Sequence, residues 1–452
     1  MLPSDSNLRI LLLGNGGREH AIAWKLSQSP LVSHIYAVPG NGGLAGLSHV
    51  TCVPDIKADD FEALAKFGKE KKVNLLIPGP EAPLVEGVVD YFHDQMGGYG
   101  ADGKRGIRCF GPSKAAARME GSKTFSKDFM QRHGIPTARY KNFTSSASSF
   151  AAASAYIESE SLASPPRRVV IKASGLAGGK GVIIPTSTAE AITALREIML
   201  EQQFGKAGDE VVVEEFLEGD ELSVISFVDG STVMSLPPAQ DHKRVWDGDR
   251  GPNTGGMGTY APTNIAGKSV LESIQRVQEM TVMGMRKEGF PFVGVLFTGF
   301  MMTQSGPKVL EYNVRFGDPE TQSLLPLMKT DLAKVMLACT DGKLHTVNLE
   351  VLPKSAVTVV VAAGGYPGSY AKGTPMRLDD PHPSNTDTVL FHAGTSLSAS
   401  GELTTSGGRV IASTAVADTL EDAVRKAYEG VKAVHFEGMQ FRTDIAGRAL
   451  KK

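Results

Sequence analysis

The chain has 452 residues, and 47 Lys and Arg against 49 Asp and Glu leave a net charge of −2. That length suffices for about three domains of ~150 residues, each able to bury a core. Near-neutral charge speaks against a polyanionic nucleic acid or an acidic membrane surface as partner, and points to small molecules.

Cys52, Cys109 and Cys339 are far apart and lack metal-ligand spacing, so they read as reduced thiols of a cytoplasmic protein. No run approaches the ~20 apolar residues of a membrane span, and the first ten residues lack the layout of a signal peptide. Met1 to Asn7 reads as a disordered lead-in.

Leu8 to Leu13 predicts a strand, followed by Gly14-Asn15-Gly16-Gly17-Arg18-Glu19-His20 and a helix over Ala21 to Leu26. Strand, glycine loop and helix in that order suit a phosphate, because glycine lets the backbone come close and free N–H groups face the anion. Glu19 stands where a dinucleotide fingerprint needs its third glycine, which disfavours NAD, and Arg18 favours a phosphate monoester over an unspecific turn. Strands over His34 to Val38 and Val73 to Ile77 run into further Gly/Pro loops, the second being Gly79-Pro80-Glu81. Repeated βα units predict a parallel sheet with ligand loops at the strand carboxyl ends, in a lobe ending near Gly111. Met96 to Gly106 reads as a surface loop.

Two lysine-rich helical segments follow Gly111 and stop at His133-Gly134-Ile135-Pro136; Lys114 and Lys123 read there as solvated helix lysines. Thr144 to Pro166 is Ser/Ala-rich, with linker-like ends and room for a helix. Val169 to Ile184 sets two β runs around Ser174-Gly175-Leu176-Ala177-Gly178-Gly179-Lys180-Gly181. A mobile cationic hairpin tip can fold over a triphosphate, with Lys180 on the outer phosphates and Lys172 on the inner ones. It is not a Walker loop, since no Ser or Thr follows Lys180 and a strand comes next; a plain flexible hairpin is the other reading.

Val211 to Ser223 predicts strand, bend and strand, where adenine can use a backbone edge and Glu221 the ribose hydroxyls; an exposed acidic turn has the same pattern. The segments 241–244 and 251–258 form a polar, glycine-rich binding loop, in which His242 lacks a second His or Cys to share a metal. Paired strands over Phe292 to Met302 and Lys308 to Val314 deliver Glu311 and Asn313 to one face, with Arg315 next in the row. Two oxygen donors and a guanidinium suit Mg²⁺ carried on nucleotide phosphates, though alone the row also describes a strand facing water. A helix over Asp331 to Thr340 closes this lobe; beyond it lie strands over Val357 to Ala362 and Val389 to His392, then a helix over Leu420 to Val434.

The sequences at 14–20, 79–81, Glu120-Gly121-Ser122-Lys123, 175–182, 240–244, 251–258 and 313–320, in this order, resemble the ATP-grasp superfamily and, within it, the glycinamide ribonucleotide synthetase (phosphoribosylamine-glycine ligase) family. The resemblance spans Leu8 to Leu450, and the wording from Phe297 to Gln322 is most similar to fungal forms, which are often fused to aminoimidazole ribonucleotide synthetase. It implies an α/β and α+β multidomain fold: a Rossmann-like N-terminal domain (1–112), an ATP-grasp domain (113–345) with a mobile lid over about 137–212, and a β-rich C-terminal domain (346–452). It implies ATP-dependent ligation of glycine to 5-phosphoribosylamine with Mg²⁺ or Mn²⁺, in a stand-alone enzyme or a module excised from a fusion. The alternative is another ATP-grasp carboxylate-amine ligase of purine metabolism.

Carried over by resemblance, Glu311 and Asn313 hold the metal, and Arg315, Asp318 and Lys172 serve the reaction. ATP would meet Lys114, Lys172, Ser174, Gly175, Gly178, Gly179, Lys180, Gly181, Glu214, Glu215, Phe216, Leu217, Glu221 and Asn253. The substrates would meet Gly16, Gly17, Arg18, Glu19, Gly79, Pro80, Glu81, Asp241, Lys243, Arg315 and Asp318. Ser174 and Gly178 depart from the Asp and Ala common in the family, a change that touches lid motion more than chemistry.

Overall fold

The computed structural model of the chain describes residues 7–98, 106–379 and 387–451, and all elements and counts are of these residues. The lead-in lies outside them except for Asn7, as does the 99–105 part of the loop expected over Met96 to Gly106.

The first lobe holds strands β1 (Leu8–Gly14), β2 (Val32–Pro39), β3 (Val50–Cys52), β4 (Leu75–Pro78) and β5 (Arg108–Cys109), all parallel, in the order β3-β2-β1-β4-β5. Helices α1 (Gly17–Leu26), α2 (Phe61–Glu70), α3 (Glu81–Glu86) and α4 (Val88–Met96) connect them. β1 is apolar on both faces because both are buried: Ile10 and Leu12 enter one core, Leu11 and Leu13 another. The strand order reverses between β1 and β4, so a crevice opens at their carboxyl ends. There the 14–17 and 79–81 loops stand side by side, with Gly79 N donating to Leu13 O (3.0 Å).

Helices α5 (Lys114–Gly121) and α6 (Lys123–Arg132) lead to a second body. It contains β6 (Tyr140–Thr144), α7 (Ala147–Ser161), β7 (Val169–Ala173), β8 (Val182–Ile183), α8 (Thr188–Met199) and β9 (Glu210–Glu215), with sheet order β6-β9-β7-β8. Its core of Phe143, Ile157, Ile171, Leu195, Ile198 and Val213 forms a cluster of its own. The Ser/Ala-rich stretch expected as linker with room for a helix is largely α7.

Then come β10 (Asp220–Asp229), β11 (Val233–Ser235), β12 (Gln240–Asp241), β13 (Arg244–Trp246), β14 (Arg250–Asn253), β15 (Gly258–Ala261), α9 (Lys268–Lys287), β16 (Val293–Thr303), β17 (Gly306–Asn313), α10 (Glu320–Leu327) and α11 (Leu332–Thr340). A central antiparallel sheet runs β11-β10-β16-β17. The rest is β18 (Ser355–Ala362), β19 (Met376–Leu378), β20 (Thr388–His392), β21 (Thr395–Leu397), β22 (Leu403–Thr405), β23 (Arg409–Ala417), α12 (Leu420–Val431), β24 (Val434–Phe436) and α13 (Gly447–Leu450). The helix expected to reach Val434 stops at Val431, and Val434 opens β24, which pairs with β19.

The C-terminal sheet has the order β12-β15-β18-β23-β20, so 240–241 and 258–261 complete a sheet whose other strands come after residue 354. Residues 345/346 therefore do not separate two sheets. This places the 251–258 loop between the central and C-terminal parts, beside the crevice.

A buried contact also joins the first lobe to the C-terminal sheet. His392 N donates to His20 Nδ1 (2.8 Å), and Asn41 Nδ2 donates to both His392 O (2.9 Å) and Asn15 O (2.9 Å). Burial lowers His20 to about 3 and His392 to about 4. Both rings are thus neutral in the fold and would take up protons near pH 6.5 once exposed. Their stabilisation is full above pH 6.5 and is lost as pH falls toward 4, since the unfolded chain then binds more protons. Thermal melts should show the midpoint falling across this window, and a His20→Asn/His392→Gln variant should fall less steeply.

Candidate active site

β17 pairs with β16 so that Glu311 faces Gly299 and Asn313 faces Phe297, but Val309 faces Phe300, one step short. Leu310 is thus the extra residue of a bulge. Glu311 and Asn313 lie on one side, two residues apart, and Arg315 returns to it: its Nη2 donates to Asn313 Oδ1 (3.2 Å). Burial would raise the Glu311 carboxyl, but Lys243, Lys172, Lys123 and Arg315 outweigh it and hold it below the usual range. Its carboxylate makes no hydrogen bond or ion pair among the described residues. An ionised carboxylate without a partner, beside an amide oxygen and ringed by cations, is a donor set that fits a hard divalent ion accompanied by phosphates.

The three lysines come from a strand, a helix and a loop. Lys172, on β7, pairs with Glu214 Oε1 (2.5 Å) and donates to Leu310 O, the bulge carbonyl (3.4 Å). Lys123, the first residue of α6, donates to Gly175 O (3.2 Å). Lys243 pairs with Glu221 Oε2 (2.6 Å), and burial is outweighed by Glu221 and Glu311, which raise its pKa. Lys114 is exposed, with its stem over Gly87. Lys123 and Lys127, the first read as solvated and the second not singled out, are the helix lysines that the fold turns inward.

The hairpin tip is a turn, Lys180 N to Ala177 O (3.0 Å), with Gly178 and Gly179 in the left-handed region and Lys180 exposed. Its base is anchored: Ser174 Oγ accepts from Thr124 N (3.2 Å), Gly175 N donates to Ala207 O (2.9 Å), and Ala173 N donates to Gly181 O (2.8 Å). Along 214–217, Glu215 pairs with Arg139 (2.9 Å), Arg168 stacks on Phe216 (4.1 Å) and Leu217 is buried. The Glu214 carboxylate, among the residues expected to meet ATP, is held between Lys172 and Lys127. Asn253 ends β14 opposite Arg244, with no bond to the cation group among the described residues.

The other half of the crevice gathers residues from all parts of the chain. Arg315 pairs with Glu81 (3.2 Å) at the start of α3 and with Glu120 (3.0 Å) on α5, while Glu120 Oε2 accepts from Val314 N (2.7 Å). Pro80 caps α3. Glu19 is turned into its own loop, accepting from Gly16 N (2.6 Å) and Arg18 Nε (2.5 Å), close against Gly79; Arg18 also donates to Phe316 O (3.2 Å). It caps its own loop, in which Gly17 is buried against Gln322, Gly16 is half-buried and Asn15 is exposed.

Asp318 stands at the start of α1, where the Arg18 N–H, Gln322 Nε2 (2.7 Å) and Arg409 (3.4 Å) meet its carboxylate and outweigh burial, holding it low. Arg409 Nη1 also donates to Gly255 O (2.6 Å) and Asp318 O (2.9 Å), fastening the 251–258 loop to the site. Asp241 is pushed well up, by burial first and by Glu320 next. Reasoning from sequence gave no role to Glu120, Lys127, Gln322 or Arg409, although Glu120 opens the Glu120-Gly121-Ser122-Lys123 motif and Arg409 follows a glycine pair.

Three family models match the chain: phosphoribosylglycinamide synthetase N domain over 8–120, its ATP-grasp (A) domain over 121–321 and its C domain over 356–448. A crystal structure of phosphoribosylamine--glycine ligase from Thermotoga maritima superposes with a TM-score of 0.81 at 34% identity, covering 97% of this chain and 100% of that one. The chain belongs to the phosphoribosylglycinamide synthetase family. Within the family it is 54% identical to the bifunctional purine biosynthetic protein PUR2,5 of Pichia angusta, covering 98% of this chain and 54% of that protein. It is 46% identical to the human trifunctional purine biosynthetic protein adenosine-3, covering 98% of this chain and 42% of that one. The chain thus spans about half the length of its fungal relatives. A 2-oxoglutarate carboxylase biotin carboxylase domain from Hydrogenobacter thermophilus, at 14% identity and a TM-score of 0.72 over 96% of this chain and 91% of that one, shares the ATP-grasp fold.

Proposed function

We propose that the chain ligates glycine to 5-phosphoribosylamine at the expense of ATP, giving 5-phosphoribosyl-glycinamide, ADP and phosphate, the second step of de novo purine synthesis. The observation that carries this reading is the Glu311 carboxylate beside Asn313, which has no hydrogen-bond or ion-pair partner among the described residues and is ringed by Lys172, Lys243, Lys123 and Arg315.

A carboxylate acylates an amine poorly, so the glycine carboxylate oxygen first attacks the γ-phosphorus of ATP, the bond to ADP breaks, and a glycyl phosphate forms. The amine of phosphoribosylamine then attacks the acyl carbon, phosphate leaves with the bonding pair, and the amine loses a proton. Phosphoryl transfer depends on positioning and charge neutralisation, which lysines from three separate parts of the chain supply, and no nucleophilic Ser or Cys is needed. Glu311 and Asn313 would hold the divalent ion, Mg²⁺ or Mn²⁺, which supplies neutralisation of the phosphate charge when bound. The 174–181 tip covers the phosphates, Glu221 and the 214–217 backbone take the adenosine, and Arg315 and Asp318 lie on the glycine side. The Gly16 to Arg18 and Gly79 to Glu81 loops face phosphoribosylamine at the switch point of the first sheet. We place the reaction in the cytoplasm, in keeping with three unpaired cysteines.

The test is ADP release with each substrate omitted in turn. ADP and phosphate should form only with glycine and phosphoribosylamine both present. Turnover with formate or bicarbonate in place of glycine would assign the chain to another carboxylate-amine ligase.

A further inference from the structure

Behind the phosphate-facing lysine lies a second one that never reaches the crevice. Lys127 on α6 is 3% exposed and meets Glu214 Oε2 (2.5 Å), while Lys172, 7% exposed, meets Oε1 of the same carboxylate (2.5 Å). Both lysines also tie this carboxylate to consecutive carbonyls of the strand that carries Glu311 and Asn313. Lys127 donates to Thr137 Oγ1 (2.7 Å), which donates to Val309 O (2.6 Å), and Lys172 donates to Leu310 O (3.4 Å).

We infer that Lys127 is a positioning residue for Lys172, acting through Glu214, and that it sets how firmly the nucleotide phosphates are held; this rests on the nucleotide reading of the crevice. One buried carboxylate between two ammonium groups leaves the trio with a net positive charge. Lys127 cannot deliver it, because it is enclosed by Glu214, Thr137 and the ring of Tyr140 (5.7 Å). Lys172 can, since its remaining contact is the longest of the set and its electrostatic neighbour is Glu311. With Lys127 present, Lys172 holds one carboxylate oxygen and keeps its charge toward the phosphates. Without it, both oxygens of Glu214 turn on Lys172 and cancel that charge.

The experiment measures KM for ATP and for glycine separately, with equilibrium ATP binding, in the full chain. Lys172→Met serves as reference. Lys127→Met should raise the KM for ATP by about tenfold and leave that for glycine within about twofold. Adding Glu214→Gln should bring ATP affinity back toward wild type, because the lone Lys172 then again carries one uncancelled charge; a merely structural ion pair would regain stability in urea on losing its other half and would move the KM for ATP and for glycine together. Equal effects on both KM values, or no rescue, would overturn the inference. If Lys127→Met does not fold, Lys127→Arg and Lys127→Met/Glu214→Gln decide: near-normal ATP binding supports it, and loss as large as in Lys172→Met overturns it. A Lys172→Met chain that binds ATP normally would remove the nucleotide reading itself, and the inference with it.

Discussion

Glu311→Ala is expected to cut kcat by several orders of magnitude, since removing even one well-placed group that stabilises transition-state charge costs roughly 10²- to 10³-fold. The loss should fall on kcat more than on ATP affinity, because Lys243, Lys172, Lys123 and Arg315 all remain to hold phosphates. Glu311→Gln, which keeps the shape and removes the charge, should behave like the Ala variant. Asn313→Ala should lose less, because a dipole rather than a charge disappears. ADP release across a magnesium titration measures this, and turnover near wild type at saturating magnesium would take Glu311 out of the metal site.

The second large effect belongs to Arg315, whose guanidinium meets Glu81 and Glu120 and the Asn313 amide oxygen at once. Replacing it by Met leaves two carboxylates without their cation. Glu120, already raised by burial, faces the heavier cost. Breaking one side of a buried ion pair costs about 3–5 kcal/mol. Urea denaturation should therefore show the Arg315→Met chain destabilised on that scale, together with a rise in the KM for glycine. Glu120→Gln in the same chain should recover part of the stability and none of the glycine affinity. Recovery of both would mean that Arg315 acts on the fold alone.

Glu311 and Asn313 were legible because strand geometry repeats every two residues, so spacing alone puts them on one side. Lys172 was legible because it closes a strand beside a glycine loop, and the first loop because strand, glycines and helix follow directly. Lys114 and Lys123 illustrate the limit: both begin a helix, and only the packing of α5 and α6 turns Lys123 inward and leaves Lys114 in water. Glu214 shows another. The resemblance set it among the residues that meet ATP, but which acid meets two buried lysines depends on which way the strand faces in the assembled sheet.

What the sequence determined by itself is therefore local: the glycine loops after β1 and β7, the shared face of Glu311 and Asn313, and the order of motifs that marks the family. The tertiary structure alone decided that Arg315 is held by Glu81 and Glu120, that Arg409 fastens the 251–258 loop to Asp318, and that β12 and β15 complete a sheet begun a hundred residues later. Spacing along the chain sets which side chains share a face, whereas buried charges find partners only when distant segments pack. Their pairing is a property of the whole fold.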